Sequence, residues 1–262
     1  MNLSLEGKYA LVCGSTQGIG LAIAKELAEL GATCILIARN EEALKDIAQN
    51  KLSTVGHQQH NWLVADFNKP EELNERIGSY VQQHPVQILI NNTGGPPGGP
   101  VTDAHEEDFL KAFNQHLICN HILARATIPS MKKAGYGRII NIISTSVKIP
   151  LRNLGVSNTI RGAVASWAKT MANELGQFNI TVNNILPGST RTQRLESIIA
   201  DSAKAKNKSI EDTVREMQQE IPAKRFGEVE EVAAVAAFLA SPAASYVNGA
   251  SIPVDGGRTG SI

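Results

Sequence analysis

Cys13-Gly14-Ser15-Thr16-Gln17-Gly18-Ile19-Gly20 is the first segment whose residue types and spacing suit chemistry. Glycines there let the chain turn tightly, let backbone approach a bulky anion, and let a following helix pack close to a strand. That helix would present unpaired N–H groups and the positive end of its dipole to a phosphate. The segment lies between an apolar run, Tyr9 to Cys13, and a stretch with Ile19, Ala22, Ile23, Leu27 and Leu30 at helical spacing. This is the context a dinucleotide site requires. Ala38-Arg39-Asn40 then closes the second apolar run, where an adenosine ribose would lie. An acid there accepts from a 2′-hydroxyl, whereas a guanidinium pairs with a 2′-phosphate. Arg39 thus favours NADP(H) over NAD(H), although Glu41 or Glu42 could still swing in.

The elements that must position these residues recur in a simple order. Short apolar runs, each followed by an amphipathic stretch, begin near Tyr9, Thr33, Trp62, Val86, Arg138 and Ile180, with a seventh run near Ala250. Pro70 suits the first turn of a helix, and Gly31 the position just past one. The runs lack polar alternation, as strands covered on both faces do. The expected fold class is α/β: a single doubly wound Rossmann domain over residues 1–262, with a seven-stranded, mostly parallel sheet and helices on both faces. Its ligand crevice would lie at the C-terminal ends of the strands.

Composition narrows the partners. The 262 residues carry 25 Lys+Arg against 25 Asp+Glu, which disfavours a nucleic-acid binder. With 42% hydrophobic and 19% charged residues, the chain suits an ordinary buried core rather than disorder. No apolar run is long enough to span a bilayer, and residues 1–8 lack a secretory pattern. Cys13, Cys34 and Cys119 form neither a disulfide framework nor a metal site. A cytoplasmic protein with no membrane partner, acting on a small molecule, is the expectation.

Several further segments together resemble the short-chain dehydrogenase/reductase family, in particular its 3-oxoacyl-acyl-carrier-protein reductase branch. Gly14, Gly18 and Gly20 match its glycine pattern, with Cys13 where threonine is usual. Asp66, followed by Phe67, matches its adenine-contacting aspartate, and Asn91-Asn92-Thr93-Gly94 its NNAG segment. Pro187-Gly188-Ser189-Thr190-Arg191-Thr192 matches the segment beside the nicotinamide, and the tail from Arg225 to Gly257 also fits. On the residues alone, Asp66 could equally close a turn, Asn91 tie strands together, and Asp255 serve a structural turn. The resemblance implies that Gly14, Ser15, Thr16, Gln17, Gly18, Ile19, Gly20, Arg39, Asp66, Phe67, Asn92, Thr93, Gly94, Pro187, Gly188, Thr190 and Thr192 hold the cofactor.

The family uses a serine, an upstream asparagine and a Tyr-x-x-x-Lys pair, in which the lysine lowers the phenol pKa for proton transfer. At the corresponding places stand Ser144, His116, Ser157 and Arg161. A serine hydroxyl is too weak an acid to replace phenol, and an arginine keeps its proton. Arg161 can still donate to the nicotinamide ribose or to a developing oxyanion. Lys148, if partly desolvated, and His116 are the titratable candidates for a proton source. The expected activity is hydride transfer to a carbonyl or a conjugated C=C with a non-standard acid. The rival reading is a catalytically silent nucleotide-binding scaffold or sensor; loss of the cofactor as well is a third. Residues 194–223, rich in charge, would form a helical lid over the substrate. The resemblance also implies a homodimer or homotetramer built on long helices at about Asp103–Ala134 and Gly155–Gly176.

Overall fold

The structure, a computed structural model, describes residues 1–261. Its strands are β1 (Tyr9–Cys13), β2 (Thr33–Ala38), β3 (Asn61–Val64), β4 (Ile88–Asn92), β5 (Gly137–Ile142), β6 (Ile180–Pro187) and β7 (Ser251–Val254). They form one seven-stranded sheet in the order β3-β2-β1-β4-β5-β6-β7. Every neighbouring pair is parallel, so the sheet is wholly rather than mostly parallel. The order reverses between β1 and β4, and the chain leaves their C-terminal ends in opposite directions. A crevice opens there, as in other open parallel sheets.

The helices are α1 (Gly18–Glu29), α2 (Glu41–Asp46), α3 (Pro70–Gln83), α4 (Glu106–Phe113), α5 (Cys119–Ala134), α6 (Gly155–Leu175), α7 (Gln193–Lys206), α8 (Ile210–Gln219) and α9 (Val229–Ala240). Two apolar layers explain the unbroken strand runs. Val12, Leu36 and Ile90 pack with Ile23 and Leu27 of α1 and Ala236 of α9 on one face. Leu11, Ile35 and Leu89 pack with Leu73 of α3, Leu123 of α5 and Met171 of α6 on the other. Each buried Leu or Ile contributes about 1.5–3 kcal/mol of hydrophobic stabilisation.

A side-chain amide ladder crosses the sheet interior. Asn91 donates to Asn141 at 2.8 Å, Asn141 to Asn184 at 2.9 Å, and Asn184 to Ser251 at 3.1 Å. These amides are buried, and the ladder gives each of them at least one partner, although the Asn91 Oδ1 atom is left without one. Asn91 thus links strands through its side chain as well as through its place in the β4–β5 ladder.

The helix expected from Asp103 to Ala134 is subdivided. A 3-10 turn at Val101–Asp103 precedes α4, and a π turn at Asn114–Ile118 separates α4 from α5. The extra backbone atoms of a π turn shift the side-chain register, and such turns recur at functional sites. His116 lies in it.

Candidate active site

The first β-α turn is shaped by close approach. A Cβ built on Gly20 would lie 2.2 Å from the Gly14 carbonyl oxygen, and one on Gly14 would lie 2.7 Å from the Asn92 carbonyl oxygen. Gly14 and Gly18 also take positive φ, at 59° and 54°. Asn92 clamps the turn by donating to the carbonyls of Cys13 and Gly14 at 3.3 and 3.4 Å. Gln17 caps α1 in an extended conformation with no side-chain hydrogen bond to the first helical N–H groups. Those donors are left for an anion. Among these residues Ser15 departs from expectation. It is fully buried, and its hydroxyl donates to the Ile37 carbonyl at 3.4 Å, so it fastens the turn to β2 rather than facing the crevice.

The adenosine end is equally concrete. Arg39 is exposed at the end of β2, and its positive charge acts on Asp66. Asp66 accepts from the Asn68 backbone and side-chain amides at 3.0 and 2.8 Å. The Asn68 backbone N–H, more than Arg39, holds the Asp66 carboxyl below its ordinary value. Asp66 therefore does close the turn before α3, with its second carboxylate oxygen not engaged by Asn68. Phe67 packs against the apolar layer that holds Leu73 and Leu123. Glu41 and Glu42 are exposed in the first turn of α2, which the Asn40 side chain caps at the Ala43 N–H (3.0 Å).

The segment after β6 covers the start of α1. A Cβ on Gly18 would touch Thr192 Cγ2 at 3.4 Å. Thr192 caps α7, accepting from Leu195 N–H at 3.3 Å, and donates to the Thr190 carbonyl at 3.2 Å. Buried Thr190 donates to Gly188 at 3.3 Å. A Cβ on Gly188 would lie 2.7 Å from Asp255 Cβ, so glycine follows Pro187 because β7 passes so near. Asp255 accepts from Gly257 N–H and Thr259 N–H at 2.9 and 2.7 Å, a turn-closing role.

At the neighbouring strand ends the predicted reactive residues gather unequally. Ser144 lies two residues past β5, and its Oγ accepts from Ser146 N–H at 3.1 Å. Its own O–H stays free to donate. Ser157 and Arg161 are both buried, one helical turn apart on α6. Arg161 Nη1 donates to the Ile142 carbonyl at 3.0 Å. Burial, and secondarily the charge of Arg194, pushes the guanidinium down to about 10, still well above neutral pH. Gly94, exposed in the loop after β4, leaves open space where a side chain would stand.

The two titratable candidates, His116 and Lys148, lie in different surroundings. His116 is buried, and its ring Nδ1 and Thr93 Oγ1 share a hydrogen bond. Burial first, and Arg161's charge second, drives its pKa down to about 3. It is a neutral polar group near pH 7, not a titrating acid. Lys148 is exposed, on the turn after β5. Tyr136 is engaged too: its hydroxyl donates to the Ala240 carbonyl at 2.5 Å.

Sequence reasoning missed Arg194. It stands at the second position of α7 and reaches back to the Pro96 carbonyl (2.8 Å), and one of its nitrogens lies 3.7 Å from where a Gly95 side chain would begin. In the sequence it is one charge in a charged stretch. The expected lid is two helices, α7 and α8, closed by a small core of Leu195, Ile199, Ile221 and Phe226 with Val214 and Met217. Among the described residues no helix is long and apolar enough to cross a membrane, and no cluster of His, Cys, Asp or Glu could hold a metal ion.

Comparisons with known proteins identify the family. Residues 14–259 match the family described as enoyl-(acyl carrier protein) reductase. The chain is 34% identical over 263 residues to a 3-oxoacyl-[acyl-carrier-protein] reductase of Pseudomonas aeruginosa, covering 97% of this chain and 98% of that protein. It is 32% identical over 260 residues to a gluconate 5-dehydrogenase of Gluconobacter oxydans, covering 99% and 97%. Among solved structures, L-sorbose reductase from Gluconobacter frateurii, complexed with NADPH and L-sorbose, superposes with a TM-score of 0.91 at 29% identity over all of both chains. By its sheet, its glycine turn and these matches along almost its whole length, the chain belongs to the short-chain dehydrogenase/reductase family of oxidoreductases.

Proposed function

We propose that the protein is an NADP(H)-dependent oxidoreductase that reduces a small carbonyl or conjugated C=C compound with a non-standard proton source. One observation carries the reading. The loop after β4 joins the glycine turn, through Asn92, to the surroundings of buried Arg161, through Thr93 and Gly95. The cradle fits the cofactor: Gly14 and Gly20 leave no room for a Cβ, and the first N–H groups of α1 lack a side-chain cap. Arg39 offers the 2′-phosphate an exposed guanidinium that forms no ion pair among the described residues, with Asp66 near enough to feel its charge. NADPH or NADP in solved relatives supports the same choice.

When bound, the dinucleotide supplies hydride from its nicotinamide ring. Ser144 donates its free O–H to the substrate oxygen. Arg161, oriented by the Ile142 carbonyl and charged at neutral pH, stabilises negative charge developing on that oxygen. Ser157 stands where a phenol would serve the family's usual reaction, and neutral His116 holds Thr93 in place. No buried side chain at the site can release a proton near pH 7. Reduction of a conjugated C=C suits this set best, because Arg161 stabilises the enolate and water protonates it later. Lys148, exposed four residues beyond Ser144, is the other side-chain donor we assign to this reading.

The silent-scaffold reading draws on that same lack of a buried acid. Stopped-flow loss of NADPH absorbance, on mixing with panels of ketones and enones, separates the two. Turnover is expected with an enone or an activated ketone. Cofactor binding with no turnover across wide panels would leave the scaffold. The assembly we propose is a homodimer or homotetramer through α4–α6, which agrees with the exposed Leu110 and Phe113 on α4.

A further inference from the structure

Arg161 and Arg194 reach one point from different elements. Arg161 projects from the second turn of α6 and is buried; Arg194 stands in the first turn of α7. A Cβ on Gly95 would meet Nη2 of each guanidinium at 3.7 Å, and Arg194 Nε at 3.9 Å. The two cations thus flank one small space over Gly95. Each has a single protein acceptor, and both acceptors are neutral carbonyls, of Ile142 and Pro96. The ion pairs of the described residues all lie elsewhere. His116, the nearby titratable group, is held neutral and cannot offset either charge.

Two like charges close together, one of them desolvated and neither paired, destabilise the fold unless an anion arrives. The repulsion registers at Arg161, whose guanidinium Arg194 pushes down beyond the effect of burial. A planar guanidinium offers parallel N–H donors that match a carboxylate, and two of them converging on one space form a clamp. The first turn of α7 lies alongside, with Arg194 as its second residue. Gly95 itself leaves the space open, and its backbone is not in the left-handed region, so a side chain there would fill the space without strain.

We infer that this space takes a carboxylate of the substrate, clamped between Arg161 and Arg194 over Gly95, so that the substrate is a small carboxylic acid carrying the reducible carbonyl or conjugated C=C rather than a neutral ketone or enone. The inference builds on the proposed reductase, since it seats the substrate against Arg161, the residue that reading uses at the developing charge. The clamp itself is a binding site that can be read without turnover.

The test is calorimetric titration of the NADPH-saturated protein with oxamate, a non-reducible oxo-acid mimic, and with uncharged oxamide. Wild type is expected to bind oxamate and not oxamide. Arg194→Gln, at an exposed position, is expected to weaken oxamate by about tenfold or more, the fold-change for a lost charge-assisted hydrogen bond, with NADPH affinity unchanged. Gly95→Ala, which keeps both charges, is expected to weaken oxamate comparably. Equal binding of oxamate and oxamide overturns the inference. So does an Arg194→Gln variant that loses NADPH and oxamate affinity in equal measure, because the anion would then be a cofactor phosphate. If NADPH does not bind at all, the reductase reading fails, and titrating the free protein with oxamate still reports on the arginine pair.

Discussion

Gly20 packs so tightly on Gly14 that a Cβ at position 20 would stand 2.2 Å from the Gly14 carbonyl oxygen and 2.6 Å from Asn92 Nδ2. The first obstacle is backbone of the turn itself, and the second is the Asn92 amide of β4 that clamps the turn, so neither yields without opening it. Gly20→Ala is expected to cost about 1–3 kcal/mol of stability, the usual range for overpacking, and to weaken NADPH binding. Gly78→Ala, within α3 where a Cβ meets nothing, is expected to add about 0.5–1 kcal/mol. Urea denaturation of the two variants checks both signs.

Arg39 tests cofactor choice. Arg39→Ala should weaken NADPH by about tenfold, modest for a charge-assisted pair because the site is exposed, and leave NADH almost unchanged. Equilibrium fluorescence titration with each nucleotide gives the ratio. A parallel loss for both would mean that Arg39 does not face the 2′-phosphate.

His116 gives the protein an acid sensitivity above the carboxylate range. Its folded pKa, driven down to about 3, lies below its unfolded value of 6.5. The unfolded chain therefore binds the extra proton first. Stability is fully present above pH 6.5 and falls as pH drops toward 3, with a limiting slope of about 1.4 kcal/mol per pH unit. Denaturation midpoints of wild type and His116→Gln, compared between about pH 5 and 6.5, isolate this group from the carboxylates. The variant should show the flatter profile. Identical slopes would place the histidine in contact with water.

Arg161 carries the proposed chemistry. Arg161→Met keeps the volume and removes the buried charge, and is expected to lower kcat by about a hundredfold, as loss of an oxyanion donor does. NADPH affinity should change far less. Ser157→Tyr combined with Arg161→Lys installs the family's usual pair. If the present residues are used, activity on the native substrate falls; activity arising from none marks the scaffold. Single-turnover kinetics distinguishes these results from slow product release.

The architecture was legible because strands covered on both faces carry unbroken apolar runs, such as Thr33 to Ala38, and because glycines at 14, 18 and 20 run from the end of one such strand into the first turn of a helix. Those signals are local. The π turn at Asn114–Ile118 was not legible, since nothing in Asn-Gln-His-Leu-Ile breaks helical periodicity and only packing fixes its register. Lys148 and His116 looked alike as titratable candidates, yet burial divides them: one is exposed and the other is 2% exposed. Ser15 sits in a cofactor motif but turns inward to Ile37. Arg194 escaped notice because a charge within a charged stretch reads as solvated until the fold brings it over Gly95, nearly a hundred positions away. Burial and long-range proximity, not residue type, separate these cases.

Direct titration of the purified protein with NADPH and with NADH bears most immediately on the account. NADPH is expected to bind with a dissociation constant on the order of micromolar, and NADH at least about tenfold more weakly. Failure to bind NADPH at millimolar concentration, or equal affinity for the two nucleotides, would contradict it.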